Sequence, residues 1–286
     1  MAVTKLREDI GAHLGGQDRQ LVQRAYVFAA RAHDGQFRLS GEEYIEHPVA
    51  VAWILSELEG DAQTLAAALL HDVVEDTDIT IDEIRQEFGV EIARLVDGVT
   101  KLSRIQFHSR MEEQVSNLRK MFLAMAEDWR VVVIRLADRL HNLRTLDALP
   151  VEKQKKTAEE TLDIYAPLAH RLGIWRFKWE LEDLGFRYLH PEEYRSLAEG
   201  IVAKRSEREA EAAMVISRLE SLLGEHGIQA DVQGRAKNLY SIHRKMKRQG
   251  TDLSEIYDLL AVRVIVGTVS DCYEVLGLAH TLWKPM

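Results

Sequence analysis

One cysteine, Cys272, in 286 residues excludes an internal disulfide and any cysteine-rich zinc site. No apolar run approaches the ~20 residues that a membrane-spanning helix needs. The longest are Val49–Leu55 and Leu65–Leu70. The opening stretch MAVTKLREDIGAHLGG carries charges where a signal peptide would need its apolar segment. Positive charge is not in excess either: the net charge is −9, which argues against a general nucleic-acid binder. These absences lead us to expect a cytoplasmic protein that binds neither membrane nor DNA. What is present is 46% hydrophobic and 29% charged residues, a composition able to bury a core. The length suggests about two domains.

Apolar residues recur at three- and four-residue spacing through most of the first 225 residues, predicting helices at Leu21–His33, Val49–Leu58, Ala62–Asp76 and Ile81–Phe88. The pattern continues at Met111–Glu127, Val131–Leu146, Val151–Arg171, Trp175–Leu189 and Glu192–Gly224. Pro48 is expected at the first position of its helix, where a missing N–H costs nothing. Asp34–His47 is a polar loop punctuated by Gly35 and Gly41. After Gly227 the texture changes: Ile228–Val232 and Val262–Val266 read as strands, each followed by a helix, Leu239–Gln249 and Ser270–Trp283. The fold class expected is mainly α: a helical domain at 1–150, a helical connector at 151–225, and an incomplete α/β domain at 226–286. Two strands seldom make a stable sheet, so residues from about Gly227 onward are expected to pack poorly.

The densest chemistry lies at the end of the helix from Ala62. His71, Asp72, Glu75 and Asp76 sit at spacings that would stack on one helical face, forming a patch of ligand-capable groups beside AAALL. A cation would neutralise such a patch, whereas acids facing water at a helix end would also account for it, against an unfavourable helix dipole. Asp138, Asn142 and Thr145 share one face of the helix VVVIRLADRLHNLRTL, and His47 enters from the loop before Pro48. Two imidazoles and two carboxylates from His47, His71, Asp72 and Asp138 suit Mn²⁺, Fe²⁺ or Zn²⁺, and spacing does not choose among them. His13, His108, His190 and His226 have no ligand-like neighbours in sequence. His141 is expected to be a packing residue, roughly a hundred degrees round the helix from Asp138. From Arg235 to Arg248 stand six basic residues and no acid. From charge alone this is a solvated helix face, although a phosphate-rich ligand would suit it better than duplex DNA.

These residues carry a resemblance. The spaced His…His-Asp…Asp set is similar to that of HD-type metal phosphohydrolases. AHDGQFRLSGEEYIEHP (32–48), ALLHDVVEDTD (68–78), LVDGVTKL (95–102), the stretch at 118–146 and that at 160–194 resemble the long RelA/SpoT homologues, which make and destroy (p)ppGpp. GRAKNLYSIHRKM (234–246), IYDLLAVRVIV (256–266) and DCYEVLGLAHTLWKP (271–285) resemble the synthetase half of the same family.

The resemblance implies that His47, His71, Asp72 and Asp138 hold Mn²⁺ and that Glu75 and Asp76 shape the attacking water. It also implies that Arg38, Ser40, Asn142 and Thr145 bind the guanosine nucleotide. Glu43 stands where the family usually has proline, and Ser116 where it usually has glutamate. In the synthetase half, Arg235, Lys237, Ser241 and Lys245 match residues that hold ATP phosphates, and Asp258 matches a Mg²⁺ ligand. The expected function is hydrolysis of ppGpp or pppGpp to GDP or GTP plus pyrophosphate, with a truncated synthetase half that does not transfer. Ribosome contact would need regions that this sequence does not include. Two other readings stay open here: a synthetase fragment (ATP:GTP 3′-pyrophosphotransferase), and a regulatory nucleotide-binding module without turnover.

Overall fold

The structure, a computed structural model, describes residues 10–103, 127–203, 205–236, 238–255 and 260–284. The chain divides into two compact units, Met1–Leu189 and His190–Met286. The helix expected at Met111–Glu127 lies almost wholly outside the described residues.

The centre of the first unit is a helix with almost no polar side. α3 (Ala62–Leu70) reads AQTLAAALL, and every residue except Gln63 is buried. A helix apolar all round must be enclosed by others. Around it pack α1 (Gly16–Ala32), α2 (Glu46–Ser56), α6 (Val90–Ser103) and α7 (Trp129–Arg144). Asp61 starts α3 by accepting from the Thr64 N–H at 2.7 Å, which satisfies one of the orphan donors of the first turn. Leu65, Leu69 and Leu70 are essentially inaccessible, and each such side chain contributes about 1.5–3 kcal/mol by burial. α6 and α7 approach closely at Gly98, where an added Cβ would stand 2.8 Å from a methyl of Val131.

Two features direct the chain toward the site. First, the helix expected over Ala62–Asp76 is broken. α3 ends at Leu70, His71 and Asp72 form a turn, and α4 (Val73–Asp76) restarts from it. The His71 ring takes the Ala68 carbonyl, at 2.7 Å, in competition with the helical ladder. Second, the loop after α1 is an ordered reverse turn. Arg38 N–H bonds Glu42 O, Tyr44 N–H bonds Gln36 O, and Gly41 takes a left-handed conformation (φ 89°) that closes it.

α5 (Ile81–Phe88) matches its expected span and opens with a reciprocal Thr80–Glu83 capping box. α2 begins at Glu46, so Pro48 is its third residue and not its first. α6 was not among the expected helices. α8 (Val151–Glu160), a π turn at Thr161–Tyr165, α9 (Ala166–Arg171) and α10 (Trp175–Leu189) also belong to the first unit, α10 packing on α7. The compact units therefore part at Leu189, not at residue 150: Leu168, Ala169, Phe177 and Leu181 join the same core as α7.

The second unit contains α11 (Pro191–Ala203), α12 (Arg205–Glu225), β1 (Ala230–Ala236), α13 (Leu239–Gln249), β2 (Leu260–Val266) and α14 (Val269–Leu282). The strands pair antiparallel, Ala230 opposite Val266 and Ala236 opposite Leu260. Val269, Tyr273 and Leu276 of α14 are exposed. Among the described residues no helix is long and apolar enough to cross a membrane.

Candidate metal centre and its adjoining cavity

Three helices deliver the cluster. His47 projects from the first turn of α2, His71 and Asp72 from the turn closing α3, and Asp138 from the core face of α7. His47, His71 and Asp138 are each at most 2% exposed, and one ligand atom from each lies within 4.8 Å of the others. His47 Nε2 is 3.2 Å from Asp138 Oδ1 and 3.5 Å from Asp72 Oδ2. His71 Nε2 is 3.0 Å from Asp72 Oδ1 and 3.9 Å from Asp138 Oδ1. Asp138 also pairs with Arg135 and accepts from Asn142 Nδ2 at 2.6 Å.

The donor set fits a divalent cation. His71 Nδ1 faces a carbonyl, so it carries the hydrogen and leaves Nε2 bare in the neutral ring. That Nε2 is buried with no hydrogen bond of acceptable geometry, and it points at carboxylates. A lone pair facing anions calls for a cation or a proton between them. Burial opposes charge on His71, but Asp72 and then Asp138 overcome it and push the imidazole up to about 9. Burial likewise opposes charge on Asp72, and His71 and His47 outweigh it, bringing the carboxyl down to about 2. Asp138 is held below the usual range by Arg135, His47 and His71 against its own burial.

Beside the cluster lies a cavity of about 460 Å³. Its walls include Arg38, Ser40, Tyr44, Arg135, Arg139, Asn142, Thr145 and Thr157, with Phe37 and Leu39 exposed on the same rim. Arg38 spans it: Nη2 donates to Asn142 Oδ1 at 2.7 Å and Nη1 to Thr145 Oγ1 at 3.3 Å. Arg139 pairs with Glu160 and lies 4.2 Å over the ring of Tyr165, in the π turn. The four residues expected to bind substrate thus line one cavity.

Glu75 and Asp76 are placed differently from the single stacked patch expected. The break at His71–Asp72 leaves both exposed on α4, lining a second, open depression with Gln36. Asp76 connects to the cluster through Tyr44, whose hydroxyl donates to Asp76 Oδ2 at 2.5 Å and to Asp72 Oδ2 at 3.1 Å. His141 is corrected: three residues make 300°, so it stands only 60° from Asp138 and faces the site, its Nδ1 2.7 Å from His47 Nδ1. Tyr44, Arg135 and His141 were not singled out from sequence. The i−3 and i+3 relation of Arg135 and His141 to Asp138 was the available signal. His13 and His226 bond backbone carbonyls, while His108 lies outside the described residues.

Of the expected synthetase residues, Lys237 and Asp258 lie outside the described residues. Arg235 is in β1, and Ser241 and Lys245 stand one turn apart on α13, half-buried.

A helical unit that gathers His, His-Asp and Asp from separate helices is an HD domain, and the HD domain family model matches residues 25–175. The model described as the region found in RelA / SpoT proteins matches residues 234–286, and the chain belongs to the RelA/SpoT family. It is 54% identical over 93% of its length to a probable guanosine-3′,5′-bis(diphosphate) 3′-pyrophosphohydrolase of Synechocystis sp., covering 35% of that protein. It is 48% identical over 98% of its length to the bifunctional (p)ppGpp synthase/hydrolase SpoT of Escherichia coli, covering 40%. The chain spans about 35–40% of the length of these curated relatives. A solved metazoan SpoT orthologue, titled as hydrolysing ppGpp, aligns at 27% identity over 58% of this chain and 85% of its own, with a TM-score of 0.40.

Proposed function

We propose that the first unit is a Mn²⁺-dependent (p)ppGpp 3′-pyrophosphohydrolase, releasing GDP or GTP and pyrophosphate. The observation that carries this is the junction of the buried His47–His71–Asp138 cluster with a cavity walled by three arginines. The names of the relatives supply the substrate. His47, His71, Asp72 and Asp138 would hold the ion, which when bound acts as a Lewis acid toward water and a phosphoryl oxygen.

The chain's own residues do the rest. Arg38, Asn142 and Thr145 already form one hydrogen-bonded wall, so a nucleotide entering there meets donors fixed in advance. Ser40 adds a hydroxyl on the rim. Arg135 and Arg139 place positive charge where a pyrophosphate group would need it. Glu75 or Asp76 would accept the proton from the attacking water. Tyr44 orients Asp72 and Asp76 together.

We read the second unit as part of a synthetase half, in which Arg235, Lys237, Ser241 and Lys245 would contact ATP phosphates and Asp258 would hold Mg²⁺. Transfer needs acceptor, donor, metal and base in line. Two described strands and an exposed α14 face do not build such a site, so the 286-residue chain is proposed not to synthesise.

One assay tests both activities. Metal-stripped protein is given ppGpp, then Mn²⁺, Mg²⁺ or Zn²⁺ separately. Pyrophosphate release is expected with Mn²⁺ and is expected to vanish in His71→Ala. Release that persists under chelator, or none with any ion, overturns the hydrolase reading. ATP, GTP and Mg²⁺ should yield no labelled ppGpp.

A further inference from the structure

The Nδ1 of His141 lies between two neighbours. His47 Nδ1 stands 2.7 Å away and Arg38 Nη1 3.4 Å away. A guanidinium carries five donors, no acceptor, and does not deprotonate in proteins. The ring nitrogen turned toward it is therefore the bare one, and the hydrogen of His141 sits on Nε2. Two imidazole nitrogens at 2.7 Å share one hydrogen. With His141 Nδ1 bare, that hydrogen belongs to His47 Nδ1. A neutral His47 with hydrogen on Nδ1 presents its Nε2 lone pair to Asp138 and Asp72.

We propose that His141 is a positioning residue for His47: its Nδ1 accepts the Nδ1–H of His47, which fixes the tautomer and ring angle that aim Nε2 into the cluster. The rings meet at 45° with centroids 4.9 Å apart, a geometry that serves an in-plane hydrogen bond and not stacking. His71 has an equivalent partner in the Ala68 carbonyl. Every imidazole of the cluster is thus oriented through its far nitrogen, but only His47 is oriented through a side chain that also touches the cavity wall. A second relay runs parallel: Arg38 donates to Asn142 Oδ1, and Asn142 Nδ2 donates to Asp138. Arg38 is therefore connected to two of the expected ligands, each through one intermediary on α7.

The proposal rests on the reading of His47 as a metal ligand, and its test needs no nucleotide. Mn²⁺ affinity is measured by calorimetry on nucleotide-free wild type, His141→Phe and His141→Asn, with circular dichroism to verify folding. Asparagine can place its Oδ1 where Nδ1 stood, whereas phenylalanine keeps the ring and removes the acceptor. Losing an outer partner of a ligating histidine typically weakens metal binding about 10–100-fold, which is the result expected for His141→Phe, while His141→Asn should stay within about threefold. A folded phenylalanine variant that binds Mn²⁺ like wild type overturns the proposal, as does an asparagine variant no better than phenylalanine. Should His141→Phe not fold, or wild type not bind Mn²⁺, nitrogen-15 NMR of the wild-type histidines decides. Hydrogen on Nε2 of His141 supports the proposal and hydrogen on Nδ1 overturns it. Failure of wild type to hydrolyse ppGpp would overturn the functional reading and leave this one standing.

Discussion

Tyr44 and Asp76, 32 residues apart, are joined by a 2.5 Å hydrogen bond in which the phenol donates. The same hydroxyl reaches Asp72 at 3.1 Å, so one hydrogen is shared between an expected metal ligand and an expected proton acceptor. Burial, followed by the charge of Asp72, pushes the Tyr44 phenol far above its ordinary range, so it remains a donor at every pH where the protein folds. Tyr44→Phe keeps the ring stacked on His33, 4.6 Å between centroids, and removes only the bridge. A hydrogen bond to a charged group is worth about 1.5–3 kcal/mol, so kcat should fall about 10- to 100-fold if the bridge aligns the two acids. Unchanged turnover would mean that the acids are aligned without it.

Asp138 offers a prediction about stability. It is almost fully buried and pairs with Arg135, whose Nε has no hydrogen-bond partner. Asp138→Ala leaves a guanidinium in the interior without its anion, which costs about 3–5 kcal/mol when a buried pair is broken from one side. Urea unfolding of the metal-free variant measures it. A loss below about 1 kcal/mol would show that Arg135 turns out to the cavity and is solvated there.

How far these contacts were legible in the sequence depends on the interaction that decides each. α3 and α5 read directly because apolar periodicity and capping act within a few residues. The ligands His47, His71, Asp72 and Asp138 were legible as a set through their motif words, and the structure brings them together. The break at His71 was not, since helical spacing continues through HDVVED, and a side chain taking the Ala68 carbonyl leaves no trace in hydropathy. Tyr44 and His141 were missed because their partners lie 28 and 94 residues away, across separate elements. The domain boundary was drawn at Pro150, a local breaker, but the core continues through Phe177 and Leu181 by contacts that only the folded chain makes.

Glu75→Gln should separate binding from chemistry. The side chain is exposed and lines the open depression with Gln36 and Asp76, away from the Arg38–Asn142 wall. Substrate affinity should therefore persist. Loss of a general base lowers turnover by about 10²–10⁴, and kcat should fall in that range. An effect confined to KM would assign Glu75 to substrate positioning and pass the proton to Asp76.

Metal-free stability should peak near pH 6.5, because two histidines respond in opposite directions. His71 is raised from its ordinary 6.5 to about 9 by Asp72 and Asp138 against its burial. Its folded value exceeds its unfolded one, so its contribution is full below pH 6.5 and is lost as pH rises to about 9. That loss is on the order of 3 kcal/mol, at 1.36 kcal/mol per unit. His141 is lowered to about 3, by burial first and then by His47 and Arg38. Here the unfolded chain takes up the proton more readily, so stability is lost as pH falls from 6.5 toward 3. Urea midpoints across pH 4–9 should trace a dome, with His71→Gln flattening its alkaline limb and His141→Asn its acid limb. Mn²⁺ must displace the His71 proton, so its affinity should climb from pH 6.5 to 9 and its binding should release protons. Saturating Mn²⁺ would then remove the alkaline decline. A metal-free dome whose alkaline limb survives in His71→Gln would assign that decline to another group.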